Sequence, residues 1–311
     1  MPAASVVICT HNPRGDYLRR VLDALKAQTL PETTWELLLI DNASKERLAD
    51  AWDLSWHPNG RHIREDNLGL TPARLRGISE AKAELVVFVD DDNVLEPSYL
   101  EGALRIGAEC PMLGVWGGSL RPEFESAPPD CLLPWIHYLA IGSVERDAWS
   151  NFWSHGMDAT PVGAGMCVRS VVAREYAWRT GNDAQALSLD RKGSSLASAG
   201  DFDIVFTAFK MGLGAGRFKC LSLTHLIPSF RLEEDYLVRL VESCVYSTQV
   251  VYARNGHPHG LPQQTWKRRL AEWLRYRLKS SRDRRFLEAH ARGRRNAQQY
   301  LRETGIGSYQ S

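Results

Sequence analysis

The sequence lacks the spacings that would give it a ready metal or redox reading. Its six cysteines, Cys9, Cys110, Cys131, Cys167, Cys220 and Cys244, are scattered, with no CxxC pair and no Cys/His spacing of a zinc site. Several sit in apolar, strand-like surroundings, where a reduced thiol acts as a small hydrophobe, and a reducing compartment fits them best. No apolar run approaches the roughly 20 residues that span a bilayer. Met1–Cys9 has no basic region ahead of a long apolar stretch, so no signal peptide is visible. The expectation is a cytoplasmic protein, with at most a peripheral contact at the inner face of the cell membrane. Charge of one sign is not in excess: 38 Lys and Arg face 37 Asp and Glu, so nothing pulls the whole chain toward nucleic acid. No GxxxxGK[ST] occurs, which excludes a P-loop NTPase even though LVVFVDDD could pass for a Walker B strand. Gly212–Gly216 lacks the GxGxxG spacing of a dinucleotide fingerprint and reads as a helix C-cap and turn.

What is present is a regular alternation of short apolar runs and helical patterns. The 311 residues suffice for one large α/β core plus a smaller lobe. Ser5–Thr10 (SVVICT), Trp35–Ile40 (WELLLI), a weaker segment near Arg61–Arg64 and Leu85–Val89 (LVVFV) read as strands. Between them, Asn12-Pro13, Thr71-Pro72 and Glu96-Pro97 read as helix starts, and a further helix is expected from about Lys45 to Trp52. Strand–helix alternation with short connections predicts right-handed crossovers and a mainly parallel sheet. Ligands in such sheets bind beyond the carboxyl ends of the strands, where Thr10, Asp41 and Asp90 lie. After Gly117-Gly118 the pattern loosens. Arg121–Ala159 is a long, Trp-, Pro- and Ser-rich stretch of little periodicity, as binding loops often are. Beyond it, Pro161–Val168 and Phe218–Leu223 read as strands. Val171–Trp178, Asp203–Met211 and Glu233–Tyr246 read as helices, and Gly181–Ala199 as a polar loop.

The chemistry concentrates at Asp90-Asp91-Asp92. Three adjacent carboxylates at the end of a buried strand repel one another unless a cation sits among them. Their oxygen ligands suit Mg²⁺ or Mn²⁺, which keep coordination sites for water and phosphate oxygens. By itself the triplet also fits the DxDxV nucleophile strand of an aspartyl-phosphate phosphatase, Asp90 being the nucleophile. That motif normally lies on an opening strand, whereas three strand–helix units precede it here. Asp201 in SAGDFD reads either as an N-cap or as a catalytic carboxylate. His225 and Arg231 in LTHLIPSFR are unspecific alone.

Taken in order, SVVICTHNPRGDYLRRVLDALKAQTL, LLLIDNAS, NLGLTPARLRGISEAKAELVVFVDDDNVLEP, GAGMCVRS, SAGDFDI and LTHLIPSFR resemble the family 2 glycosyltransferases, from about Ser5 to Tyr246. The resemblance implies a GT-A fold: a Rossmann-like α/β domain with a mainly parallel central sheet flanked by helices, followed by a C-terminal helical extension. It divides the chain into a nucleotide-sugar half (1–118), an acceptor-binding and catalytic half (119–246) and a basic helical extension (247–311). It implies an inverting, metal-dependent transfer from a nucleoside-diphosphate sugar, with UDP favoured, to a hydroxyl of a saccharide or glycoconjugate, as in polysaccharide assembly. By the same resemblance Thr10, His11 and Asp41 meet the nucleoside and Arg74 approaches the diphosphate. Asp90 and Asp91 contact ribose and sugar, Asp92 and His225 bind Mn²⁺ or Mg²⁺, Asp201 is the general base, and Arg231 adds charge near the phosphates. The chain departs from the family pattern at His11, where Tyr is commoner, at Leu75, where Asn is usual, and at Gly200, where Glu usually precedes the Asp.

Two regions keep two readings. Trp149 and Trp153 either stack on acceptor sugar rings or pack in the core. The tail from about Thr265 to Tyr300 carries Trp266, Leu270, Trp273, Leu274 and Leu278 at helical spacing with Lys and Arg between them. That pattern fits a membrane-surface helix, a dimer contact, or a helix docked on the core, and the last is slightly favoured because the polar residues do not keep to one face. A non-catalytic nucleotide- or glycan-binding protein of the same fold is the remaining alternative.

Overall fold

In this computed structural model the described residues are 1–152, 159–183, 196, 200–257, 276 and 279–306. β1 (Ala4–Thr10), β2 (Trp35–Asn42), β3 (Gly60–Glu65) and β4 (Leu85–Asp90) form the parallel half of one sheet, in the order β3-β2-β1-β4. The connecting helices are α1 (Gly15–Lys26), a single turn α2 (Leu48–Ala51), and α3 (Leu70–Glu80). Beyond β4 the sheet becomes mixed. β5 (Asn93–Leu95), the long β6 (Leu113–Phe124), the short β7 (Ala148–Ser150), β8 (Cys167–Arg169) and the 14-residue β9 (Gly214–Ile227) complete it. Here β8 runs antiparallel to β4 and β6, β9 runs parallel to β6, and β5 and β7 run antiparallel to β9. The parallel pattern read from the sequence therefore describes the first four strands.

Strand residues alternate between two apolar layers. Val6, Ile8, Leu37, Leu39, Val87 and Val89 pack against α1 and against α4 (Tyr99–Glu109). Val7, Leu38, Ile40, Val86 and Phe88 pack against α3, α5 (Ser170–Gly181) and α6 (Gly200–Lys210). Strands buried on both faces are what continuous runs such as VVIC and LLLI require. A third layer is built on α7 (Glu234–Arg254) and α8 (Ser281–Thr304). Arg282 Nε meets Glu234 at 2.6 Å and Arg292 Nε meets Glu242 at 2.8 Å, so the two helices run side by side in the same direction. Phe286, stacked on Trp135 with ring centroids 4.5 Å apart, and Ala289 lie buried between them.

Several local expectations are corrected. Asn12 is no N-cap: its φ is +49°, its side-chain oxygen accepts from Lys45 N at 2.9 Å, and α1 starts only at Gly15. The Lys45–Trp52 helix shrinks to one turn, because Ser44 N and Leu48 N are spent on the Asp41 carboxylate. Thr71 does not cap α3, which begins a residue earlier; Pro72 sits in its first turn, where a missing N–H costs nothing. The Glu96-Pro97 helix begins at Tyr99, after Ser98. β6 runs on through Arg121–Phe124, the start of the stretch expected to be irregular, and His225 lies within β9 rather than after it. Asp201 lies inside the first turn of α6 and not ahead of it. α8 docks on α7, while the apolar positions from Trp266 to Leu278 and the residue Trp153 fall outside the described residues. Among the described residues no helix is long and apolar enough to cross a membrane.

Candidate active site

The carboxyl ends of β1 and β4 open onto a cleft of about 280 Å³. Parallel strands bring Thr10 beside the acidic triplet, and the Thr10 hydroxyl donates to Asp91 Oδ2. The chain then turns sharply through Asp91-Asp92 into β5. Pairing of β5 with β9 sets Asn93 opposite His225, and Leu226 N donates to the Asp92 carbonyl at 2.8 Å. This is how a histidine more than a hundred residues downstream reaches the triplet. Four residues beyond β9, within the 3₁₀ turn Ser229–Leu232, Arg231 folds back onto the same carboxylate.

Asp92 is held from both sides. Asn93, fully buried, donates from Nδ2 to Asp92 Oδ1 at 2.9 Å and accepts from Asp90 N through Oδ1 at 3.2 Å. Asp92 Oδ2 faces His225 Nε2 at 3.5 Å and Arg231 Nη1 at 3.1 Å. Arg231 Nη1 lies 3.3 Å from His225 Nε2. A guanidinium can only donate, so His225 accepts through Nε2 and carries its ring proton on Nδ1. Both His225 Nδ1 and Arg231 Nε are buried without a hydrogen-bond partner among the described residues. Burial, then the charge of Asp92 and further off that of Asp90, pushes the Asp91 carboxyl up to about 7, against the hydrogen bond from Thr10. The Arg231 pKa is raised as well: burial opposes its charge, but Asp92, Tyr236, Asp91 and Asp90 together outweigh burial.

The donor set suits a cation. A carboxylate oxygen and an imidazole nitrogen 3.5 Å apart can both reach one divalent ion, and carboxylate ligation suits Mn²⁺ or Mg²⁺. No cluster of three or more His, Cys, Asp or Glu side chains able to hold an ion occurs among the described residues, so other ligands would come from water and phosphate oxygens. The residues fit such an ion, and Arg231 stands against the same two atoms.

Across the cleft, Asp201 Oδ2 accepts from Gly163 N at 3.0 Å, and Oδ1 accepts from Phe202 N at 3.2 Å. Arg74, buried on α3 with its guanidinium 5.7 Å from the Phe88 ring centre, borders the same space. A Cβ at position 163 would stand 2.6 Å from Arg74 Nη2, so any larger residue there would push the guanidinium aside. An outer lobe of about 130 Å³ shares Thr10 and His11 with the cleft and adds Asn42, Leu68 and Gly69. His11 Nδ1 bonds the Asn42 carbonyl at 2.7 Å, and Asn42 Oδ1 accepts from Gly69 N at 2.8 Å.

Thr10, His11, Arg74, Asp90, Asp91, Asp92, Asp201, His225 and Arg231 thus border one cleft. Asp41 borders neither lobe. Its buried carboxylate accepts from Ser44 N and Leu48 N and pairs with Arg64 Nη1 at 2.8 Å, which fastens the loop after β2. Trp149 stands apart as well, exposed on β7 opposite Gly216. The sequence reading missed Asn93 and Asn42. It also missed the wall formed by Tyr138, Leu139, Tyr236, Leu240 and Cys244, which only tertiary packing brings to the cleft.

Residues 5–122 match the model of the glycosyl transferase family 2. That match and the relatives below support a glycosyltransferase of this family. Among curated proteins, EpsH of Bacillus subtilis is 29% identical over 168 residues, 50% of this chain and 48% of EpsH, so the match spans about half the length of that relative. Among solved structures, S. aureus TarS (residues 1–349) superposes with a TM-score of 0.53 at 14% identity, covering 100% of this chain and 93% of that one. GalNAc-T7, solved with UDP, GalNAc and Mn²⁺, gives 0.52 at 18% identity, covering 88% of this chain and 54% of that one. These likenesses show a GT-A fold, with a helical region at its C-terminal end.

Proposed function

We propose that this protein transfers a sugar from a nucleoside diphosphate, UDP being favoured, to a hydroxyl of a saccharide or glycoconjugate, with inversion. The observation that carries the reading is the meeting of Asp92, His225 and Arg231 at the floor of a cleft that Asp201 borders from the opposite wall. Thr10, His11 and the outer lobe take the nucleoside, with Asp41 as a positioning residue beneath them. Asp90 and Asp91 face ribose and sugar, and Arg74 and Arg231 face the diphosphate. Asp92 and His225 would hold a Mn²⁺ or Mg²⁺ ion, which when bound supplies a Lewis acid for the phosphate oxygens. Asp201 takes the proton of the acceptor hydroxyl as that oxygen bonds the anomeric carbon. The bond from that carbon to the diphosphate breaks, and the departing charge falls to Arg74 and Arg231. GalNAc-T7, of the same fold, was solved with UDP and Mn²⁺, which supports the choice of base and metal.

The test is a thermal-shift and hydrolysis screen with UDP-, GDP- and dTDP-sugars, with and without Mn²⁺. A UDP-dependent rise in Tm that needs Mn²⁺ and disappears in Asp92→Ala is expected. No response to any nucleotide sugar in the presence of the cation would overturn the reading.

A further inference from the structure

A second cavity, of about 340 Å³, lies behind the first turn of α6, and no residue lines both it and the catalytic cleft. Its walls are the C-terminal end of α5, the outer face of α6 and the end of α7. Three features give it the character of a binding site. The first is cationic. Lys210, Arg179 and Arg254 border it against two carboxylates, Asp183 and Asp203, and Lys210 has no carboxylate within ion-pair distance among the described residues. Its ammonium donates instead to the neutral amide oxygen of Asn255, at 2.5 Å. Partial burial holds the Lys210 pKa below its usual value; Asp203 raises it, and Arg179 and Arg254 lower it further. Arg179 and Arg254 are each already paired, with Glu175 and Asp183. Lys210 is therefore the cation that an incoming anion would relieve.

The second feature is a hydroxyl. Thr180 is 2% exposed, and its Oγ1 finds no hydrogen-bond partner among the described residues. A buried hydroxyl left unpaired costs free energy that a polar ligand group would recover. The third is the rim. Trp178 borders the cavity with 67% of its surface exposed, a large apolar face left open among the described residues. A flat aromatic face beside hydrogen-bonding groups and one unsatisfied cation matches a ring with an apolar C–H face, several hydroxyls and a negative charge.

We infer that the cavity between α5, α6 and the end of α7 binds an anionic sugar, with Trp178 under the ring, Thr180 on a hydroxyl and Lys210 on its carboxylate or phosphate. The site stands on its own geometry and does not depend on the reaction proposed for the cleft.

Isothermal titration calorimetry on the full chain at low ionic strength tests this. The probes are a glucuronate disaccharide and glucose 6-phosphate, with maltose as the neutral control and UMP as the nucleotide control. Binding of one or both acidic probes, but not of maltose, is expected, and the probe that binds identifies the charged group. Lys210→Gln and Trp178→Ala should each weaken it about tenfold or more, the size of a lost charge-assisted contact. Both residues are exposed, so neither substitution threatens the fold, and Thr180→Val should give a smaller loss. Asp92→Ala, which disables the cleft, should leave the affinity unchanged. The inference is overturned if neither acidic probe binds, if Lys210→Gln binds as tightly as the parent chain, or if Asp92→Ala abolishes binding. It is overturned too if maltose binds equally well, or if only UMP binds in a Lys210-dependent way.

Discussion

Removing the charge of Arg231 separates a structural counter-ion from a mere neighbour. The guanidinium lies 3.1 Å from Asp92 Oδ2, and the two side chains are only 17% and 11% exposed. At an effective dielectric constant of about 20 the attraction at that distance is about 5 kcal/mol before desolvation is subtracted. Truncating one partner of a buried pair typically costs about 3–5 kcal/mol, because the other charge is left uncompensated. Asp92 keeps its bond from Asn93 and opens on a cleft, so the lower figure applies. With an unfolding entropy of about 2.1 cal/mol/K per residue, a loss of about 3 kcal/mol across 311 residues lowers Tm by about 5 °C.

The assay is a thermal melt of Arg231→Met against the parent chain, with and without Mn²⁺ and with no nucleotide present. In metal-free buffer the variant should melt about 5 °C lower, by the reckoning above. Mn²⁺ should restore most of that loss, since Asp92 and His225 are then open to a cation. The parent chain should respond less to the same ion, because its own guanidinium must first leave those atoms. Arg231→Lys, which keeps a charge but loses the planar reach to both partners, should fall between the two. Equal melting temperatures in metal-free buffer would refute the counter-ion role. An equal rise on adding Mn²⁺ would refute the idea that arginine and cation contend for one place.

Three further outcomes follow from the same geometry. Asp201→Asn should lower kcat by about 10²–10⁴ while leaving the affinity for UDP, measured calorimetrically, unchanged. In Gly163→Ala the new methyl would stand 2.6 Å from Arg74 Nη2 and push the guanidinium aside. Donor affinity should fall about tenfold, the size of a lost charge-assisted contact, with little change in Tm. Burial alone would raise the Asp41 carboxyl, but Ser44, Leu48 N and Arg64 outweigh it and hold it below the usual 3.8. A depressed carboxylate gives stability that is present above that value and lost as pH falls through the folded-state pKa. Asp41→Asn should therefore be less stable at neutral pH and show a flatter loss of Tm below about pH 4 than the parent chain.

The first half of the fold was legible because its strands are short, apolar and buried on both faces, and because each hands over to a helix within a few residues. Val6, Ile8 and Val89 pack into one layer and Val7, Ile40 and Phe88 into the other, so the runs carry no alternation and read plainly as parallel strands. The helix starts were less legible. Asn12 and Thr71 have cap chemistry, but Asn12 accepts instead from the backbone of Lys45, 33 residues away. A side chain that finds a distant backbone partner leaves no trace in its own neighbours. The second half hides for a different reason. β7 and β8 have three residues each and β9 has 14, so strand length there follows pairing with other strands rather than local composition.

The candidate site divides along the same line. Thr10 and the triplet announce themselves because they terminate the two neighbouring strands that build the cleft floor, β1 and β4. Asp41 also ends such a strand, yet the single turn of α2 draws its carboxylate under the loop to satisfy two backbone N–H groups. Position at a strand end thus brings a residue to the rim without deciding which way its side chain is used. Asn93 is the converse case. It follows three aspartates and reads as one more polar turn residue, but it is fully buried and ties Asp92 Oδ1 to the backbone of Asp90. Its pairing opposite His225 is set by β5 and β9, which are about 130 residues apart in sequence. Loop closure over that span is costly, and it is offset only because β9 is already fixed by β6 over ten residue pairs. The geometry at Asp92 therefore depends on the assembly of the whole second half of the sheet, and for that reason it could not be read from DDDN alone.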